Sequence, residues 1–256
     1  MKSVRSLHPM TKHKRPKQAP NDAESPQAES APVSTEPTQR EPRGERRKRL
    51  TREKLLDAAF RLMAERGMDA VAINDITEAA DVGFGTFYNH FASKEAIYLA
   101  VMDALFEDFG DALERIVGDV EDPAEVISIC FRHGILRARR EPLWGKFLVR
   151  EGFSARALTR GLGVRLLRDI QIGIAKGRFT VPDPFMTFIT AGSAFLGAIS
   201  ADLEDARDQT GFLEQLGFST RDFPERAATS LLYNLGLPWD QAQHIARLPL
   251  PVAGPS

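Results

Sequence analysis

The chain has 256 residues, 43% of them hydrophobic, and 34 Lys and Arg against 35 Asp and Glu leave a formal net charge of −1. That balance excludes both a histone-like polycation and a strongly acidic solvating chain, and the length predicts one or two domains. One cysteine, Cys130, permits neither an internal disulfide nor a Cys-rich zinc site, and no apolar run follows the N-terminal basic residues, so no secretory signal and a cytoplasmic location are expected.

Residues 1–45 read as a disordered, Pro-rich basic leader, because they lack the apolar side chains needed to offset their chain entropy. Phe60 is the first aromatic residue. Residues 1–49 carry 12 Lys and Arg against 6 Asp and Glu, a net of +6, whereas residues 50–95 sum to −3 and residues 96–256 to −4. Arg46, Arg47, Lys48 and Arg49 close the leader. By position alone they read as a solvated tail before they read as a nucleic-acid arm.

No proline occurs between residues 43 and 122, as a helical stretch requires. Thr51 is positioned to N-cap a first helix with Leu55, Ala58, Ala59, Leu62 and Met63 on its apolar face, ended by Gly67. A short helix from Ile73 to Ala80, the turn Asp81-Val82-Gly83 and a second short helix from Phe84 to Phe91 follow. Ser93 caps the next helix. Asp122-Pro123-Ala124-Glu125 opens a helix to Arg140, and a short segment surrounds Trp144. One helix is expected from Ser154 to Lys176, one from Asp183-Pro184 to about Leu203, and one capped by Asp222 and Glu225 that ends at Gly236. Asp240–Leu248 reads as a last short helix. No stretch alternates with β-branched residues, so the predicted fold is all-α with nine or ten helices.

The segment from Ile73 to Phe91 meets the physical requirements of a helix-turn-helix. Ile73, Ile76 and Ala80 supply a packing face, Val82 plugs the turn, and Phe87 and Phe91 turn inward. Phe84, Thr86, Tyr88 and Asn89 are left to face outward. Together with Leu55, Ala58, Ala59, Gly67, Gly83, Gly85 and the run Tyr88-x-His90-Phe91-x-Ser93-Lys94-Glu95, this segment resembles the N-terminal domain of TetR-family transcriptional regulators. Three positions depart from that pattern: Ala72 and Gly83 replace usual side-chain caps, and Asp81 replaces a usual glycine.

The resemblance implies an N-terminal three-helix helix-turn-helix DNA-binding domain over residues 46–95. A larger helical effector-binding and dimerisation domain would follow over residues 96–248, with a flexible tail at 249–256. It implies phosphate contacts from Tyr88 and Lys94, base-edge contacts from Phe84 and Thr86, and close backbone approach at Gly83 and Gly85. Phe84 could instead be a core aromatic, and His90 either reaches a phosphate or is a packed, satisfied histidine. Beside such a unit, Arg46, Arg47, Lys48 and Arg49 become candidates for phosphate or minor-groove contact, since residues 50–95 are net acidic.

The implied function is a ligand-responsive repressor, acting in the cytoplasm at the nucleoid and released from a palindromic DNA operator by a small molecule. The alternative is a helical small-molecule-binding or scaffolding protein that does not read DNA. The chain carries no GxSxG, no P-loop, no GxGxxG and no His spacing suited to metal, so neither enzyme activity nor a cofactor is expected. Pro184–Ala201 is uncharged and just long enough to span a membrane. Its Ser, Thr and Gly content and missing basic or aromatic flanks favour a buried helix, so no membrane partner is expected. Phe131, Ile135, Trp144, Phe147 and Phe188 are candidates to line a pocket for an apolar or aromatic effector, with Arg137, Arg150, Arg165 and Arg168 available to an acid group. Homodimerisation is expected through Ile189, Gly192, Phe195 and Leu196 of the uncharged helix and Ala228, Leu231 and Leu232 of the next one.

Overall fold

In the computed structural model, twelve helices and no strand are found among the described residues, which are 42–251 except 160, 207–209, 216, 218 and 220. The first six are α1 (Arg43–Arg66), α2 (Ile73–Ala79), α3 (Phe84–Tyr88), α4 (Lys94–Val117), α5 (Pro123–Arg140) and α6 (Pro142–Glu151). The rest are α7 (Ala155–Thr159), α8 (Leu162–Ala175), α9 (Pro184–Asp205), α10 (Phe212–Gln215), α11 (Phe223–Asn234) and α12 (Trp239–Ala246). The leader expected over residues 1–45 lies outside the described residues up to residue 41. Arg43 to Glu45 are already helical.

α1 therefore starts eight residues before the expected cap. Pro42, with extended backbone, precedes it, and Thr51 sits mid-helix with its hydroxyl donating to the Arg47 carbonyl at 2.9 Å. A threonine whose hydroxyl is satisfied one turn back has no need to cap. Leu55, Ala59, Met63, Ile76 and Phe87 are fully buried where α1, α2 and α3 meet. Burying a side chain such as Phe87 contributes about 2–3 kcal/mol.

Further along the chain, some local expectations hold and others fail. Ser93 accepts from the Ala96 N–H at 3.2 Å to cap α4, and Asp122 accepts from the Ala124 N–H at 2.9 Å to cap α5. Asp222 does not cap α11, because its backbone is left-handed (φ 49°) and its carboxylate makes no capping hydrogen bond. The single helix expected over residues 154–176 is broken into α7 and α8 at Gly161, where φ is +55° and a Cβ would lie 2.7 Å from that of Phe106. Only glycine tolerates both the backbone and the contact.

α5 is central to the larger body, with α4, α6, α8, α9, α11 and α12 against it. Arg139 on α5 holds Asp202 on α9 through two hydrogen bonds of 2.7 and 2.6 Å, a forked pairing that satisfies the buried carboxylate. The tail expected to be flexible from residue 249 is held at its start, since the His133 ring nitrogen lies 2.8 Å from the Pro251 carbonyl. Residues 252–256 lie outside the described residues.

Candidate functional site

The helix-turn-helix is built from α2, a four-residue turn and α3. Ala72 has no side chain to cap α2, but the Asp75 carboxylate accepts from the Ala72 N–H at 3.0 Å, so half of a capping box remains. Asp81 takes the left-handed conformation (φ 53°) that the tight turn needs, and the Val82 N–H closes it onto the Thr77 carbonyl at 3.0 Å. Phe87 and Phe91 are buried beneath α3, with ring centroids 5.8 Å apart.

What α3 leaves outside is an aromatic pair. Phe84 and Tyr88 are each 52% exposed and meet edge to face at 5.6 Å, so Phe84 is not a core residue. Gly83, Gly85 and Asn89 are exposed around them, and Thr86 is half-buried. A Cβ added at Gly85 would meet nothing within 4 Å, so any need for glycine there lies outside this chain.

The basic cluster frames the same surface. Arg46, Arg47, Lys48 and Arg49 are exposed on the first turns of α1, with Arg49 paired to Glu53 at 2.9 Å. Cations at a helix N-terminus oppose the macrodipole at about 0.3–1 kcal/mol each, so helix stability does not account for them. One turn on, Arg52 lies 4.2 Å over the Phe91 ring and donates to the His90 carbonyl at 3.3 Å. That contact ties α1 to the end of the reading unit, and no local residue pattern announces it. Burial, with help from the charges of Lys48 and Arg52, holds the half-buried His90 imidazole below its usual value, so it is neutral at pH 7. Lys94 is half-buried, and its ammonium donates to the Met68 and Asp69 carbonyls at 3.1 and 3.4 Å.

A second feature lies in the larger body. A cavity of about 440 Å³ opens between α4, α5, α8 and α9. Phe131 and Phe188 line it, as do Ile189, Gly192, Phe195 and Leu196 of α9. Ile135, Trp144 and Phe147 do not reach it. They are fully buried, and Phe147 packs edge to face on Phe60 at 5.7 Å. Phe106, Phe109 and Leu113 from α4 complete much of the apolar wall.

One corner of the cavity is polar, formed by Glu114, Arg165, Arg168, Asp169 and Cys130. Burial pushes the Asp169 carboxyl above the usual carboxylate range, against the pull of its Arg168 hydrogen bond. Burial also pushes the Cys130 thiol up to about 12, which leaves it un-ionised and chemically quiet. Among the described residues, no three His, Cys, Asp or Glu side chains are grouped to hold a metal ion.

Of the residues expected at a dimer interface, four turn inward, while Ile189, Gly192 and Phe195 are half-buried along the cavity. Ala228, Leu231 and Leu232 are at most 2% exposed within one chain, and Leu196 is buried as well. Most of the larger apolar residues of both helices fill the protein's own core and cavity wall, while Phe185, Met186 and Tyr233 are exposed. What α9 presents outward is Met186, Thr190, Ser193, Ala194 and Gly197.

A helix-turn-helix joined to a helical body with an internal cavity is the architecture of a DNA-binding regulator with a built-in sensor. Residues 55–101 match the family described as bacterial regulatory proteins, tetR family, and residues 122–248 match the tetracyclin repressor-like, C-terminal domain. The transcriptional regulator TcmR of Streptomyces glaucescens is 36% identical over 122 residues, which is 46% of this chain and 53% of TcmR. The repressor DhaR of Mycobacterium sp. (strain GP1) is 38% identical over 72 residues, 28% of this chain and 36% of DhaR. The chain thus spans about half or less of the length of these curated relatives. Over nearly a whole protein, it is similar to RolR solved in complex with resorcinol: 33% identity, TM-score 0.61, covering 82% of this chain and 99% of RolR. FadR from Bacillus subtilis in complex with stearoyl-CoA shares the fold at 16% identity and a TM-score of 0.57. The chain belongs to the TetR family of transcriptional regulators.

Proposed function

We propose that this regulator is a cytoplasmic, nucleoid-bound homodimeric repressor that leaves a palindromic operator when an apolar or aromatic small molecule enters the cavity. The observation that carries the proposal is α4. One continuous helix begins at Lys94, against the reading unit, and reaches the cavity wall at Phe106, Phe109 and Leu113. A ligand that displaces those side chains tilts the helix on which the reading unit rests. α6 offers a parallel path: Arg150 donates to the Met63 carbonyl at the end of α1 at 3.0 Å, and the Tyr98 hydroxyl of α4 donates to Glu151. The same α6 reaches the cavity through Leu148.

DNA contact falls to Phe84 and Thr86 at base edges, and to Tyr88, Lys94 and the start of α1 at phosphates, with Gly83 and Gly85 allowing close approach. His90, neutral and half-buried, serves as packing rather than as a cation. The outward face of α9, from Met186 through Thr190, Ser193 and Ala194 to Gly197, carries no charge, and an uncharged helix face of that length in a soluble protein calls for cover. A second copy supplies it, which sets two reading units on half-sites about 34–36 Å apart or a multiple of that. The resorcinol bound by RolR supports an aromatic effector. The test is a gel mobility shift with DNA from upstream of the protein's own gene, repeated with candidate aromatics. A retarded band that aromatics release supports the reading, and a band that no cavity-sized compound releases defeats the sensor half of it.

A further inference from the structure

α3 is only five residues long, from Phe84 to Tyr88, so its own hydrogen bonds do not fix its direction. What packs beneath and beside it does. Beneath lie Phe87, fully buried, and Phe91, 4% exposed, with ring centroids 5.8 Å apart. Ahead of α3, the Val82 N–H holds the turn to the Thr77 carbonyl at 3.0 Å. Behind it, the Asn89 and His90 N–H groups close onto the Thr86 and Phe87 carbonyls at 3.2 and 2.9 Å. All of these bonds stay within α2, α3 and their turn. Arg52 brings in α1. Its guanidinium lies 4.2 Å over the Phe91 ring, and its Nη1 donates to the His90 carbonyl at 3.3 Å.

One planar group thus touches both the ring on which α3 rests and the backbone at which the segment ends. A guanidinium stacks and donates at once, which an ammonium does not. Arg52 is exposed, so water screens both contacts and they add little to the stability of the fold. What they add is geometry. Arg52 also belongs to the helix that carries Arg46, Arg47, Lys48 and Arg49, and follows Arg49 by about one turn. The helix assigned to phosphates and the helix assigned to bases are therefore pinned to each other. Phosphate contacts fix where a protein sits on the duplex, and base contacts read the sequence there. Reading fails unless the two stay in register to within about 0.5 Å.

We infer that Arg52 is a specificity-determining positioning residue, which holds α3 in register with the phosphate-contacting start of α1 rather than touching DNA itself. The inference rests on the DNA reading proposed above and adds a residue to it.

Fluorescence anisotropy of the full-length protein across a range of salt tests it with two duplexes. One is a sequence that the wild type enriches from a randomised pool, and the other is the same composition in scrambled order. Arg52→Lys keeps the charge and loses the planar fork, whereas Arg52→Met keeps an apolar stem and loses the charge. Both are expected to weaken the enriched duplex about tenfold, the equivalent of one misread base pair, and the scrambled duplex less than about twofold. The salt slope should not change. Were Arg52 a phosphate contact, Arg52→Lys would bind as the wild type does. Arg52→Met would then weaken both duplexes alike and flatten the log–log slope by about one. That result overturns the inference, and so does an unchanged affinity, or an equal loss on both duplexes, in folded variants. Circular dichroism melting confirms folding, and Arg52→Lys alone decides should Arg52→Met not fold. A wild type that enriches no sequence defeats the DNA reading itself and this inference with it. An enriched sequence together with a phosphate-like Arg52 defeats this inference alone.

Discussion

The ammonium of Lys94 spends two hydrogen bonds on the Met68 and Asp69 carbonyls, which leaves its third N–H for a phosphate beside the reading helix. Lys94→Ala is accordingly expected to act twice. It should cost about 1–2 kcal/mol of fold stability. It should also weaken all DNA sequences about equally and flatten the log–log salt dependence by about one. Melting curves and titrations across salt separate the two effects, and lost stability with an unchanged slope would reduce Lys94 to a structural staple. Phe84 and Thr86 belong to the other kind of contact. Phe84→Ala and Thr86→Ala should change base preference by roughly 1–3 kcal/mol per affected base pair at little cost in salt slope. Binding-site selection against a randomised half-site reads this, and uniform weakening would move both side chains to the DNA backbone.

At the scale of elements, the first turns of α1 hold the positive charge that residues 52–95 lack. Arg46, Arg47 and Lys48 make no ion pair among the described residues, and replacing all three by Ala should flatten the salt slope by about two to three. Removing cations from a helix N-terminus should leave its melting temperature unchanged or raised. An unchanged slope would return the cluster to a solvated helix start. The elements legible in the sequence were those whose signal is local. Asp122-Pro123 and Asp183-Pro184 open α5 and α9 because cap and proline act within one turn, and α2–α3 follow from the spacing of Ile76, Val82, Phe87 and Phe91. The elements misread were decided by partners far along the chain. The break at Gly161 is set by Phe106, and Asp222 is held in a left-handed turn its sequence does not announce. Core and cavity wall are equally apolar, so composition could not divide Trp144 and Phe147 from Phe131 and Phe188. Glu114, Arg165, Arg168 and Asp169 come from two helices that only the fold brings together.

For the whole molecule, the question is what covers the outer face of α9. This helix is long and apolar enough to cross a membrane by length and composition, yet only 22% of its most apolar window is buried within one chain. Gly197 lies on the outer face with nothing within 4 Å of an added Cβ, so Gly197→Glu fits the folded monomer but puts an unpaired charge into a two-fold contact. Sedimentation velocity should show a folded monomer with undiminished helicity by circular dichroism, and weakened DNA binding should follow. A variant that stays dimeric would place the interface elsewhere. The central claim is that α3 reads DNA sequence, and it is tested most directly by fluorescence anisotropy at fixed salt. One duplex comes from upstream of the protein's own gene, and the other has the same length and composition in scrambled order. The account predicts saturable binding to the first at least about 10³ tighter than to the second. Equal affinity for both duplexes would contradict it.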